Sequence, residues 1–220
     1  MIELGLKVTL AYLVGGALGS LLVGFFYGGV DIRKVGSGNP GGTNALRTQG
    51  KMFALWVMVI DIGKGILAAV VIPRLDLPGI GIDAQVDREL VLYSVSFVAI
   101  LGHVFPVWFG FRGGKGGATA AGLLCFLAPV AALPAIGSWL LIVFATGFVG
   151  LATMSAGLVA ALFVGVTALP EQAGLFLWAC ATTTLLIYAH RSNIQRMLDG
   201  TEPRFASPGA RWLRRGQSQK

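Results

Sequence analysis

Charge is scarce in this chain: only 12% of its 220 residues are Asp, Glu, Lys or Arg, against 55% hydrophobic. With a mean hydropathy of +0.76, a water-soluble domain is excluded, because 220 residues cannot hide that much apolar surface. Cysteine is nearly missing as well. Cys125 and Cys180 both lie in apolar stretches and read as small core residues rather than a disulfide or a metal pair. The two histidines, His103 and His190, have no carboxylate or Cys neighbours at ligand spacing, so no metal site is expected. A Walker loop fails on its spacing, since Phe109 stands where its first glycine belongs and Gly116 follows Lys115, and no nucleotide-binding domain or nucleic-acid partner is implied. The Gly-x-Ser-x-Gly elbow of serine hydrolases is absent too. The amino end is weakly basic and lacks a small-residue cleavage site, so its apolar run is expected to remain as a helix.

What is present is a series of apolar runs, each near the ~20 residues that a spanning helix needs. They cover residues 4 to 27, 53 to 72, 90 to 109, 118 to 145, 149 to 168 and 173 to 188. The fourth is over-long and interrupted by Pro129, Pro134 and Gly137, so it is either one helix or two short ones. Thirteen of the 17 basic residues fall in three clusters: Arg33 to Lys51, Arg112 with Lys115, and Arg191 to Lys220. Cytoplasmic loops collect Lys and Arg, and all three clusters share one side only if the 118 to 145 run crosses twice or re-enters. The expectation is therefore an all-α polytopic membrane protein with seven transmembrane helices, N-terminus outside and C-terminus cytoplasmic. Residues 1 to 202 form the integral domain, and 203 to 220 form a basic tail that meets anionic headgroups.

Between the first two runs lies a polar, glycine-rich stretch, residues 33 to 47. Gly36, Gly38, Gly41 and Gly42 free the backbone to aim successive N–H groups at an anion. Ser37, Asn39, Thr43 and Asn44 add short neutral donors, and Arg47 adds a fork suited to phosphate. The expected topology brings this loop to the same interface as the Gly113, Gly114, Lys115, Gly116, Gly117 run and the stretch from His190 to Arg196. Each alone has a plain reading: a tight turn, a headgroup anchor, a helix cap. Together they set Arg47, Lys115 and Arg196 around bared backbone, enough for more than one phosphate. Asp61 and Lys64, three apart on one face of the second run, are either a self-neutralising pair or a source of positive charge for that site.

The runs at 36 to 47, 102 to 119 and 190 to 202, with the Asp61-x-x-Lys64-Gly65 pattern, resemble the signature motifs of the bacterial acyl-phosphate:glycerol-3-phosphate acyltransferases, the PlsY family. The likeness covers nearly the whole chain. It implies an inner-membrane enzyme, its site facing the cytoplasm, that moves a fatty acyl group from acyl phosphate to the 1-hydroxyl of glycerol 3-phosphate, with no cofactor and with donor supplied by a phosphate acyltransferase. It implies that Ser37, Gly38, Asn39, Thr43, Asn44, Arg47 and Lys115, with Gly114 beside it, hold the acyl-phosphate head. His190 and Asn193 then serve glycerol 3-phosphate and the chemistry, with Arg196 and Lys64 lending charge. The His-x4-Asp motif of other glycerol-phosphate acyltransferases is absent, since the fifth residue after His103 is Trp108 and after His190 is Gln195. Two positions depart from the pattern. Residues 146 to 153 lack the Arg and Ser usual in the family, and Ala189 replaces a basic residue. The base is either His190 or a phosphate oxygen of the substrate, the latter favoured. A transporter for an organic phosphate is the rival reading, but its site normally lies near the midplane of two related halves, and no internal repeat is visible.

Overall fold

The computed structural model describes residues 1 to 205; most of the expected basic tail lies outside them. Among the described residues the regular structure is helical, as lipid requires: only a helix or a closed barrel satisfies every backbone N–H and C=O without water. Two compact units follow one another along the chain, Met1–Leu127 and a second from Ala128 onward.

The first unit holds α1 (Ile2–Gly15), α2 (Gly19–Phe26), α3 (Gly42–Gln49), α4 (Lys51–Val71), α5 (Arg88–Val104) and α6 (Gly117–Leu127). The second holds α7 (Pro129–Thr146), α8 (Val149–Ala168), α9 (Ala173–Ala189) and α10 (Arg191–Leu198). Four helices are long and apolar enough to cross a membrane. The count rises to six if each of two bent pairs, α1 with α2 at 46° and α9 with α10 at 52°, is one span. Helix α6 is a shorter apolar helix. Leu133, Leu141, Leu162, Val166 and Leu177 stand exposed on these helices, as lipid-facing side chains do.

The over-long fourth run proves to be two helices. Pro129 opens α7 at its first turn, where its missing N–H is harmless, and Ala128 before it is held out of the helical region at φ −143°, ψ 67°. Pro134 stays inside α7.

The expected first span is not continuous either. Helix α1 buries Glu3, Lys7, Ala11 and Gly15, a stripe four residues apart that lies along α5. At Gly15 a Cβ would land on the Ala99 carbonyl, and at Gly102 on the Tyr12 carbonyl, so the two backbones touch as small residues allow. The stripe's charged end is clasped: Glu3 takes Lys7 at 2.8 Å and Arg88 at 2.7 Å, while Lys7 also donates to the Pro73 carbonyl at 2.8 Å. The chain then breaks before α2, and the break exposes backbone groups inside an apolar region. Lys64 Nζ donates to the Ala17 carbonyl at 2.7 Å, and the Gly19 N–H donates to Asp61 Oδ1 at 3.1 Å. The two ions pair with each other at 2.9 Å and are nearly inaccessible. An interrupted helix is thus capped by an ion pair from its neighbour.

Removing one partner of such a buried pair leaves an uncompensated charge, which costs about 3 to 5 kcal/mol. Asp61→Asn is therefore expected to lower the thermal unfolding midpoint in detergent sharply. Adding Lys64→Met to it should recover part of the loss, and an Asp61→Asn protein as stable as the wild type would contradict the capping role.

Candidate active site

In the first polar station the loop from 31 to 42 is folded by side chains. Asp31 accepts from the Arg33 N–H at 3.0 Å and from its guanidinium at 2.9 Å, which closes a 3-10 turn and holds the Asp31 carboxyl below its usual range. Arg33 also lies over the Phe109 ring, 5.2 Å from its centroid. Asn44 is buried, with all its polar atoms engaged. Its Oδ1 accepts from the Ser37 N–H at 3.0 Å, and its Nδ2 donates to the Ile32 and Val35 carbonyls at 3.0 and 3.1 Å. The Gly38 N–H goes to the Val35 carbonyl at 3.1 Å. Asn44 and Gly38 therefore shape the loop. Ser20 Oγ pins it to α2 through the Pro40 carbonyl at 3.1 Å.

After this loop α3 begins at Gly42 with no side-chain cap. The first-turn N–H groups of a helix lie outside its own ladder and carry its positive end, a ready anion seat. Thr43, half-buried, lies in that first turn; in the loop before it Asn39 is half-buried and Ser37 exposed, and the exposed Arg47 lies in the last turn of α3.

The second station is threaded over the end of α5. The Gly113 and Gly114 N–H groups donate to the Val104 and His103 carbonyls at 3.2 and 3.1 Å. A Cβ on Gly113 would fall on the His103 carbonyl, and one on Gly114 on His103 Nε2. These two glycines are needed for close approach, with Gly114's N–H already taken, while Lys115 is half-buried at the start of α6. His103 itself is 3% exposed. Its Nδ1 is 2.7 Å from Lys64 Nζ and 3.5 Å from Asp61 Oδ1. An ammonium only donates, so Nδ1 is the acceptor and the neutral ring carries its proton on Nε2, against Gly114. Lys64 thus has three partners: Ala17, Asp61 and His103.

The third station belongs to the second unit and sits at the bend between α9 and α10. His190 is buried, and its Nδ1 lies 2.8 Å from the Leu186 carbonyl. A carbonyl only accepts, so Nδ1 carries the proton and Nε2 is the basic nitrogen of the neutral ring. Asn193, three residues on and 6% exposed, donates to Glu202 Oε1 at 2.6 Å, and Arg196 Nε donates to Glu202 Oε2 at 2.7 Å. Gly150, in the first turn of α8, lets that helix start lie against Asn193, whose atoms would be 3.1 to 3.2 Å from an added Cβ.

A family model described as glycerol-3-phosphate acyltransferase matches residues 6–200. The chain belongs to the PlsY family of glycerol-3-phosphate acyltransferases. A glycerol-3-phosphate acyltransferase of Synechococcus elongatus is 39% identical over 196 residues, covering 89% of this chain and 91% of that protein. Among solved structures, PlsY (YgiH), an integral membrane glycerol 3-phosphate acyltransferase, matches in its glycerol 3-phosphate form with a TM-score of 0.79 and 37% identity. That match covers 92% of this chain and 96% of the other. Its lysophosphatidic acid form matches at 0.79 and 35% identity, over 95% and 98% of the two chains. Apolar helices and these neighbours make the chain a membrane-resident PlsY homologue.

Sequence reasoning about this PlsY chain gave no role to His103 or Glu202, although both lie inside its signature runs. Each is defined by partners far along the chain or across a turn. A buried Asp-x-x-Lys pair seeking further acceptors was the one available hint toward His103.

Gly114→Ala must displace a ring that Lys64 holds from behind, and overpacking of this kind costs about 1 to 3 kcal/mol. We expect it to cut acyltransferase activity at least tenfold. Gly63→Ala, whose Cβ meets nothing within 4 Å, should leave activity near wild type in the same assay.

Proposed function

We propose that the chain transfers a fatty acyl group from acyl phosphate to the 1-hydroxyl of sn-glycerol 3-phosphate, releasing phosphate and 1-acyl-glycerol 3-phosphate, the first acylation of phospholipid synthesis. The observation that carries the donor assignment is the Asn44-locked loop leading into the uncapped start of α3. It is suited to a small anion and carries Ser37, Asn39 and Thr43, with Arg47 further along α3. On this reading Ser37, Gly38, Asn39, Thr43, Asn44, Arg47, Gly114 and Lys115 form the donor subsite. Within it Asn44, Gly38 and Gly114 set backbone paths, and the others offer donors or charge. His190, Asn193 and Arg196 serve glycerol 3-phosphate. Lys64, its N–H groups engaged, contributes through its charge. The site faces the cytoplasm of a bacterial inner membrane across seven crossings, and a phosphate acyltransferase supplies the donor.

An acyl phosphate is already activated, so the protein's task is to bring two anions together and hold the hydroxyl about 3 to 3.5 Å from the carbonyl carbon. The hydroxyl oxygen bonds to that carbon, the carbon to phosphate-oxygen bond breaks, and phosphate leaves with the electron pair. Donors from the helix start, Arg47 and Lys115 stabilise the charge that builds on the carbonyl and the departing phosphate. The hydroxyl proton ends on phosphate, which makes a substrate phosphate oxygen a sufficient base. His190 Nε2 then accepts from the 2-hydroxyl of glycerol 3-phosphate and so orients the attacking 1-hydroxyl, whose own proton goes to phosphate.

Membranes given labelled glycerol 3-phosphate should form lipid-soluble label with acyl phosphate and not with acyl-CoA; the reverse preference would refute the donor assignment. His190→Ala should raise KM for glycerol 3-phosphate while lowering kcat less than about tenfold. A kcat loss beyond the 10²-fold usual for a positioned base would make His190 the base.

A further inference from the structure

The acceptor station in the second unit is short of available positive charge: Arg191 is turned back along α9, where it donates to the Tyr188 carbonyl at 3.1 Å and lies 4.4 Å from the Tyr188 ring centroid. Arg196, the only cation among residues 192 to 203, pairs with Glu202 at 2.7 Å. The same carboxylate holds Asn193, so that network is neutral as a whole. Residues 146 to 153, which link the end of α7 to the first turn of α8, contain no basic residue, and Gly150 among them packs against Asn193. A phosphate dianion seated beside His190 and Asn193 needs a cation from elsewhere.

The carboxyl-terminal strand of described residues brings one. The Phe205 N–H donates to the Gly147 carbonyl at 2.7 Å, fixing residues 203 to 205 against the left-handed turn that ends α7, where Gly147 has φ 76°. This sets the Arg204 guanidinium over the Phe148 ring, 4.8 Å from its centroid. Phe148 is the N-cap of α8, two residues before Gly150, which touches Asn193, so Arg204 and Asn193 both border the start of α8. Among the described residues no carboxylate pairs with Arg204. A guanidinium stacked on an aromatic ring uses its face and keeps its N–H donors around the edge, the geometry that grips phosphate oxygens.

We infer that Arg204 is the cation that binds the phosphate of glycerol 3-phosphate, with Phe148 as the platform that orients it. The inference rests on the acceptor assignment made above. Glu202 then has a second consequence: by balancing Arg196 it leaves the anion to Arg204.

The test is steady-state kinetics on the full chain in neutral detergent micelles, so that lipid headgroup charge plays no part, varying glycerol 3-phosphate and donor separately. Arg204→Gln should raise KM for glycerol 3-phosphate at least tenfold, with kcat and the donor KM within about threefold of wild type. Arg204→Lys should recover part of the affinity, because a point charge replaces a fork. Phe148→Leu should give an intermediate rise, and it reads the same role if Arg204→Gln fails to fold. An unchanged KM for glycerol 3-phosphate in Arg204→Gln, or a fall in kcat alone, would overturn the inference. A wild type that acylates glycerol 3-phosphate from another donor would sink the donor assignment and leave this comparison intact. One that does not acylate it at all would remove both.

Discussion

The ammonium of Lys64 is the point on which the first unit depends. Two distant segments and its own helix send it an acceptor: the Ala17 carbonyl at a helix break, His103 at the end of α5, and Asp61 one turn away on α4. In an apolar medium an unmet carbonyl or a lone ammonium is costly, so each partner is there on condition of the others. The consequence reaches the loop beyond. Because Lys64 holds one edge of the imidazole, the other edge is fixed against Gly114, and the backbone that carries Lys115 has a single path.

Both units use the same device on different groups. A side chain with two or three hydrogen-bonding positions ties together backbone segments that would otherwise be free to wander. Asn44 does this for the glycine loop, where Oδ1 and Nδ2 reach residues 7 to 12 positions earlier. Glu202 does it for the His190 station, joining Asn193 and Arg196. The polar residues of this chain therefore divide into those that build the cradles and those left to meet ligands. That division accounts for how so few charged residues would serve the proposed reaction between two anions: the building is done mostly by neutral amides and backbone, and the pairs of Lys64 with Asp61 and of Arg196 with Glu202 commit charge to it.

Much of this was legible in the sequence where the signal is local. Helix α8 begins and ends where its apolar run does, the split near Pro129 follows from proline's missing N–H, and the glycine loop is a polar island between apolar runs. The break between α1 and α2 was not legible, because residues 8 to 27 carry no charge to mark it and the groups that tolerate the break stand more than 40 positions away, on α4. Asn44 looked like a ligand because an amide in a glycine-rich loop suits phosphate equally well. Only the distances show its donors turned back on the loop. Arg204 fell in what read as a headgroup-binding tail, and nothing in residues 203 to 205 announces that their backbone returns to Gly147.

The account holds that the donor loops and the acceptor station serve one reaction and so face one compartment. The most direct measurement is labelling by a membrane-impermeant thiol reagent of Ser37→Cys, Lys115→Cys and Ser192→Cys, each in a chain with Cys125 and Cys180 replaced by Ala, in right-side-out and inverted vesicles. The account predicts that all three react in inverted vesicles only. Labelling of Ser192→Cys from the side opposite to Ser37→Cys and Lys115→Cys would contradict it.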